Sequence, residues 1–190
     1  EEKVREKVLS INPDIIIHTA AYTQVDQAES DEETAFKVNA EGTKYLAKAA
    51  ETVGARFCYV STDYVFDGTK KEPYQTEDQT NPQTVYGKSK LAGEQYTREY
   101  CSKYFIVRTS WVFGLYGNNF VKTMLRLADE RSELGVVSDQ FGSPTYTTDL
   151  ARFIIELVAT NKYGIYHASN SGICSWYEFA KEIFRQSNKN

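Results

Sequence analysis

Arg56-Phe57-Cys58-Tyr59-Val60 is a short apolar run that leads into Ser61-Thr62-Asp63-Tyr64-Val65-Phe66-Asp67-Gly68. Aromatic and β-branched residues over four to eight positions, bounded by glycine and turn residues, read as a strand. Just upstream, Gly54 ends a helical pattern in which Ala35, Val38, Leu46, Ala49 and Ala50 recur at near-helical spacing. Ser30-Asp31-Glu32-Glu33 has capping-box spacing, so Ser30 is expected to cap that helix and Glu33 to reach back. Before it, Asp14-Ile15-Ile16-Ile17-His18 follows Asn12-Pro13 and reads as a buried strand.

Downstream of the opening run, residues 61–83 contain Gly68, Pro73, Asn81 and Pro82 and read as a long loop. A loop of that length in a small domain usually serves a function. A helix is expected from Val85 to Tyr100, then a strand over Tyr104-Phe105-Ile106-Val107-Arg108. Asn118 or Asn119 caps a helix running to about Arg131, and Leu134-Gly135-Val136-Val137 is expected to be a short strand. Thr147 or Thr148 starts a helix ending near Thr160, Gly164-Ile165-Tyr166-His167 is extended, and Ser175-Trp176-Tyr177-Glu178 is a second capping box. Strands alternating with helices define an α/β fold with a parallel sheet and right-handed crossovers. The pattern loses regularity after Trp111. Residues 1–111 therefore read as one α/β part and 112–190 as a smaller mixed α/β region, within one compact unit overall.

Composition narrows the function classes. Hydrophobic residues at 41% and charged residues at 25% suit a globular core. The net charge of -4 argues against a broad nucleic-acid surface. The longest apolar runs are far too short to span a bilayer, so no membrane partner is expected. Cys58, Cys101 and Cys174 lack metal or disulfide spacing, which points to a reducing, cytoplasmic setting. His18 and His167 stand far apart without neighbouring carboxylate spacing, and no metal is assigned.

Tyr86-Gly87-Lys88-Ser89-Lys90 carries the chemistry. Tyr86 and Lys90 are four residues apart and share a helical face. A tyrosine titrates near 10, and a nearby ammonium favours its phenolate, so the pair is expected to act as a general acid/base with a lowered pKa. In isolation the same spacing often means only a lysine lying over a tyrosine. Ser61 and Thr62 follow a strand's carboxyl end, where ligands of open α/β sheets bind, and either hydroxyl can meet a carbonyl. Small residues in His18-Thr19-Ala20-Ala21-Tyr22-Thr23 let backbone approach a flat ligand.

Together these stretches resemble the extended branch of the short-chain dehydrogenase/reductase family, and within it the dTDP-4-dehydrorhamnose reductases. The likeness also takes in Val25-Asp26-Gln27-Ala28-Glu29, Val38-Asn39-Ala40, Leu91-Ala92-Gly93-Glu94, Arg108-Thr109-Ser110-Trp111-Val112-Phe113, Asn118-Asn119-Phe120 and Asp139-Gln140-Phe141-Gly142-Ser143-Pro144-Thr145. The resemblance implies a Rossmann-like doubly wound parallel sheet, its first strand–helix units missing, with a smaller C-terminal substrate-binding part. It implies that Thr62, Tyr86 and Lys90 are catalytic: Thr62 orients the carbonyl, Tyr86 donates the proton, and Lys90 binds the nicotinamide ribose. Ala20, Ala21, Tyr22, Asn39 and Ser61 are implied on the cofactor side, and Asp63, Tyr64 and Trp111 on the sugar side. Core packing is an equal reading for Trp111. The implied cofactor is NADPH or NADH. The implied reaction reduces the 4-keto group of a dTDP-4-keto-6-deoxy sugar in rhamnose biosynthesis. A nucleotide-sugar epimerase or dehydratase, or a non-catalytic regulatory subunit, is the alternative.

No Gly-x-Gly-x-x-Gly occurs, although the family places a glycine motif after its first strand to receive the pyrophosphate. The chain is therefore expected to be a fragment that binds the cofactor poorly by itself. A homodimer is compatible with the resemblance. Thr148 stands where a metal-bridging carboxylate would be expected, so no metal is placed at an interface.

Overall fold

The computed structural model describes residues 1–188. In chain order its elements are α1 (Glu2–Ile11), β1 (Ile15–His18), α2 (Val25–Ala28), α3 (Glu32–Phe36), a π-helical segment (Lys37–Glu41), α4 (Gly42–Val53), β2 (Arg56–Thr62), a 3-10 turn (Asp63–Val65), α5 (Val85–Tyr100), β3 (Tyr104–Thr109), β4 (Val112–Phe113), α6 (Phe120–Glu130), β5 (Phe141–Gly142), β6 (Thr145–Tyr146), α7 (Thr147–Val158), β7 (Gly164–His167), β8 (Cys174–Ser175) and α8 (Trp176–Gln186). They fall into two compact units. One comprises Glu1–Thr109 with Ile154–His167, the other Ser110–Phe153 with the chain from Ala168 onward.

The first unit holds a four-stranded, all-parallel sheet in the order β1-β2-β3-β7. This is a Rossmann-like α/β sheet. Its register sets Ser61 beside Arg108, and Arg108 beside His167. Ala47, Ala50, Ala55, Phe57, Tyr59, Cys101 and Ile106 form the core between sheet and helices, with Leu46 and Ile165 packed against it. The alanines of α4 let the helix approach closely enough for Phe57 and Tyr59 to be fully enclosed. Cys58 is likewise buried, and burial pushes its thiol up to about 12, as expected of a core residue rather than a reactive one.

The second unit is built on α6 and α8, where Met124, Ala180 and Ile183 are buried among Phe120, Phe179 and Phe184. Asn119 caps α6 by accepting from Lys122 N at 3.1 Å. The expected Ser175–Glu178 capping box opens α8, with both reciprocal bonds present.

Three local expectations are corrected. The helix before Gly54 is interrupted, and Asp31 rather than Ser30 stands at the start of α3. Ser30 instead donates to Gln27 O at 3.0 Å, because its hydroxyl serves the end of α2. Leu134–Val137 forms no strand: Val136 packs into the α6–α8 core, and Val137 O accepts from Tyr177 N at 2.9 Å at the start of α8. Finally, β2 continues through Ser61 and Thr62, which the sequence places in a loop, since both pair with β3.

Candidate active site

Thr62 ends β2 in an extended conformation. Its Oγ1 donates to Asp63 Oδ1 at 3.0 Å and accepts from Tyr64 N at 3.2 Å, which turns the chain into the 3-10 turn. Helix α5 begins opposite. Thr84 caps it by accepting from Gly87 N at 3.0 Å, and Glu29 Oε1 accepts from Val85 N at 2.8 Å. Tyr86 thus occupies the first turn of α5, where a well-capped helix holds its direction. A Cβ at position 87 would overlap the Tyr64 carbonyl oxygen and reach 3.0 Å from Pro82 Cβ. Gly87 is what lets the turn after β2 lie against α5. The rings of Tyr64 and Tyr86 meet edge-on, 5.5 Å between centroids.

The electrostatics reverse one expectation. The Tyr86 phenol is pushed up to about 12, chiefly by burial, with the Asp63 and Tyr64 charges adding and the Thr62 hydroxyl opposing. No ammonium acts on it appreciably. Lys90 is 2% exposed; its Nζ donates to Val60 O at 2.7 Å and lies 4.2 Å from the centre of the Tyr59 ring. Burial brings the Lys90 amine down to about 7, so near neutral pH it carries only part of its charge. Tyr86 is therefore a fully protonated phenol, which suits a proton donor, and not a pre-activated phenolate.

Asn39 lies in the π-helical segment, fully buried. Its side-chain amide clamps Tyr22 at both ends of the residue: Oδ1 accepts from Tyr22 N at 2.8 Å, and Nδ2 donates to Tyr22 O at 3.0 Å and to Ser89 Oγ at 3.0 Å. A single π turn in a helix often marks a functional position. Its freed carbonyl is satisfied laterally, for Asn39 O accepts from Thr43 Oγ1 at 2.7 Å and from Tyr59 Oη at 3.2 Å. Thr43 Oγ1 spends its proton there and so accepts from His18 Nε2, 3.0 Å away.

That network gives a pH prediction. Burial, and secondarily Lys90, brings His18 down from 6.5 to about 4. The unfolded chain then binds the extra proton between these values, so stability is fully present above pH 6.5 and drains as pH falls toward 4, by on the order of 3 kcal/mol. An NMR titration should show the His18 ring neutral at pH 5.5; a midpoint near 6.5 would contradict this.

The remaining expected residues separate. Ala20 is exposed and Ala21 and Tyr22 are half-buried just beyond β1. Ser61 faces α5 and donates to Glu94 Oε1 at 2.6 Å. Asp63 is half-buried and Tyr64 is 40% exposed. Trp111 belongs to the second unit. There it takes a positive φ of 48°, costly for a bulky residue, and stacks on Trp176 at 3.5 Å between centroids. A Cβ on Gly142 would come within 2.6 Å of its ring, so that glycine admits the indole. Sequence reading assigned no role to Glu94, Arg108 or Tyr59, all buried around Lys90 and Ser61. The signal was present: an arginine ending an apolar strand needs a buried partner. No cluster of three or more metal-binding side chains occurs among the described residues.

A parallel sheet bearing a Tyr-x-x-x-Lys helix beside a strand-end hydroxyl defines a short-chain dehydrogenase/reductase-like domain. Comparison with known proteins agrees. The family described as RmlD substrate binding domain matches residues 1–190, and the chain belongs to that family. It is 49% identical over 187 residues to the spore coat polysaccharide biosynthesis protein SpsK of Bacillus subtilis (strain 168), covering 98% of this chain and 66% of that protein. It is 50% identical over 193 residues to the dTDP-4-dehydrorhamnose reductase of Escherichia coli (strain K12), covering 99% and 64% respectively. The crystal structure of the Bacillus anthracis str. Ames dTDP-4-dehydrorhamnose reductase in complex with NADP superposes with a TM-score of 0.96 at 53% identity, over 100% of this chain and 68% of that one. The chain thus spans just under two thirds of the length of these curated relatives.

Proposed function

We propose that the intact protein reduces the 4-keto group of dTDP-4-dehydrorhamnose to dTDP-L-rhamnose with NADPH or NADH. One observation carries this: a half-buried Tyr86, its phenol held in the protonated form, beside the Thr62 hydroxyl at the end of β2, with Lys90 one helical turn further on. The homology to reductases of that name, one solved with NADP, supports the choice of reaction and cofactor.

The residues present fit a nicotinamide cofactor. An ammonium has three donors, and the Lys90 Nζ bond to Val60 O uses one, leaving two for ribose hydroxyls. Ala20 and Ala21 offer small side chains beyond β1, and Asn39 holds the Tyr22 backbone in place beside them. When bound, the cofactor supplies hydride to the sugar's C4. The chain's own part is to protonate and to orient. Tyr86 gives its proton to the oxygen as negative charge develops there. Thr62 turns its hydroxyl from Asp63 to that same oxygen. A donor aimed at charge that exists only in the transition state lowers the barrier without tightening substrate binding. Ser61 stays on the cofactor side in this reading, its side chain anchored by the bond to Glu94 Oε1.

In this reading Asp63, Tyr64 and Trp111 are substrate-binding residues, residues 1–111 form a partial nucleotide-binding domain, and 112–190 contribute to substrate binding. The protein works in the cytoplasm without metal, and a homodimer is compatible. Three free cysteines and the lack of any helix long and apolar enough to cross a membrane, among the described residues, fit that setting. The test is to supply dTDP-4-dehydrorhamnose and NADPH to the intact protein. Loss of NADPH absorbance should match formation of dTDP-rhamnose; no turnover with either nicotinamide would remove the proposal.

A further inference from the structure

The proposed proton donor sits where a helix is held least by its own backbone. The first N–H groups of a helix have no intrahelical partner, and Tyr86 is the second residue of α5. Two side chains supply acceptors there. Thr84 Oγ1 accepts from Gly87 N at 3.0 Å, an ordinary local cap. The other acceptor comes from a separate element. Glu29, exposed at the end of α2, accepts from Val85 N through Oε1 at 2.8 Å. Within the described residues that is the one hydrogen bond of this carboxylate. The backbone carrying Glu29 is itself fixed: Ala28 is fully buried with Ala35 against Val85, and Tyr22, Phe36 and Tyr86 pack around them. On the other side of Tyr86, Ser89 Oγ donates to Tyr86 O at 2.8 Å and accepts from Asn39 Nδ2 at 3.0 Å.

We propose that Glu29 is a positioning residue for Tyr86: its carboxylate, anchored beside Ala28, holds the first N–H of α5 and so sets where the phenol stands relative to the Thr62 hydroxyl. This deepens the proposed function, since it rests on Tyr86 as the proton donor. The bond falls on the residue directly before Tyr86, so any slack there passes straight to the ring. An ionised acceptor makes a stronger bond than a neutral hydroxyl, and negative charge is favoured at a helix N-terminus. Global stability needs this bond less. An exposed side chain at a helix end makes one contact, and a first turn can fray while the rest of the helix stays packed. Fraying is tolerable in a helix that only packs. It is costly in one that carries a proton donor in its first turn, because misplacing a reacting group by about 1 Å can cost about 100-fold in rate.

Glu29→Ala and Glu29→Gln in the intact protein separate the roles. The alanine removes the acceptor, and the glutamine keeps an oxygen in its place. Glu29→Ala is expected to lower kcat for dTDP-4-dehydrorhamnose about 10-fold or more while the Kd for NADPH stays within about twofold, and Glu29→Gln to restore most of the rate. In a Tyr86→Phe background Glu29→Ala should add no further loss, because the group it places is gone. A merely structural carboxylate would lower the thermal midpoint in Glu29→Ala with kcat per folded molecule unchanged, or would depress the rate equally in both backgrounds; either result overturns the proposal. So does a Glu29→Gln rate as low as that of Glu29→Ala. A second readout needs no substrate. With the tyrosines 13C-labelled, and Tyr86 assigned by its absence in Tyr86→Phe, its ring resonances should shift or broaden in Glu29→Ala and return in Glu29→Gln. If the wild-type protein does not reduce the keto sugar, the reductase reading falls and these resonances decide alone: an unmoved ring overturns the placement by Glu29.

Discussion

Tyr86→Phe is expected to lower turnover of the keto sugar by about 10²- to 10⁴-fold, the usual worth of a positioned acid/base. The fold should survive. The ring remains to meet Tyr64 edge-on, and the helix keeps its Thr84 cap. The loss removes one interaction with Thr62, worth about 1 kcal/mol or less in stability. The defect should also be flat between pH 6 and 9, because a phenol pushed up to about 12 stays protonated throughout that range. Steady-state rates at saturating NADPH, beside a thermal unfolding curve, check both halves. Unchanged turnover in a folded variant would leave a non-catalytic role for the fold and remove Tyr86 as the proton donor.

Gly93→Ala is expected to destabilise the protein by about 2 kcal/mol or more, despite exchanging glycine for a better helix former. A Cβ at position 93 would overlap the Tyr59 hydroxyl, stand 2.5 Å from Asn39 O and reach 2.8 Å from Tyr59 Cζ. None of these can move cheaply. Tyr59 is fully buried, and the Asn39 carbonyl belongs to the π turn whose lateral bonds run to Thr43 and Tyr59. Displacing that turn would also loosen the Asn39 clamp on Tyr22, so cofactor affinity should weaken along with stability. Urea unfolding and NADPH titration of the intact protein read the two effects. A wild-type midpoint would mean that α5 can shift away from the π turn at little cost, contrary to the packing described.

Much of the architecture was legible because its signals are local. The helix stop at Gly54, the asparagine cap at Asn119 and the Ser175–Glu178 box each depend on neighbours within a few residues, and each stands as read; the β-branched run at Ile15–Ile17 forms the expected strand but not a buried one, for β1 is a sheet edge and leaves Ile17 exposed. Where a reading failed, the group had another partner. The Ser30 hydroxyl closes α2 by donating to Gln27 O, and Asp31 stands at the start of α3 without a side-chain capping bond. Leu134–Val137 has strand composition, but its backbone serves the start of α8 and Val136 packs into the α6–α8 core.

The site divides in the same way. By itself the sequence determined which groups are available: a tyrosine and a lysine one turn apart on a helix, and hydroxyls at the end of a strand. Spacing along a chain sets these directly. Only the tertiary structure decided what those groups are electrostatically. Burial, which no local pattern reports, raises the Tyr86 phenol and lowers the Lys90 amine. The sheet register then brings Ser61 and Arg108, 47 residues apart in number, to one carboxylate on α5. Protonation follows from the whole surroundings of a group, and those surroundings exist only once the strands have paired and the helix has packed on them.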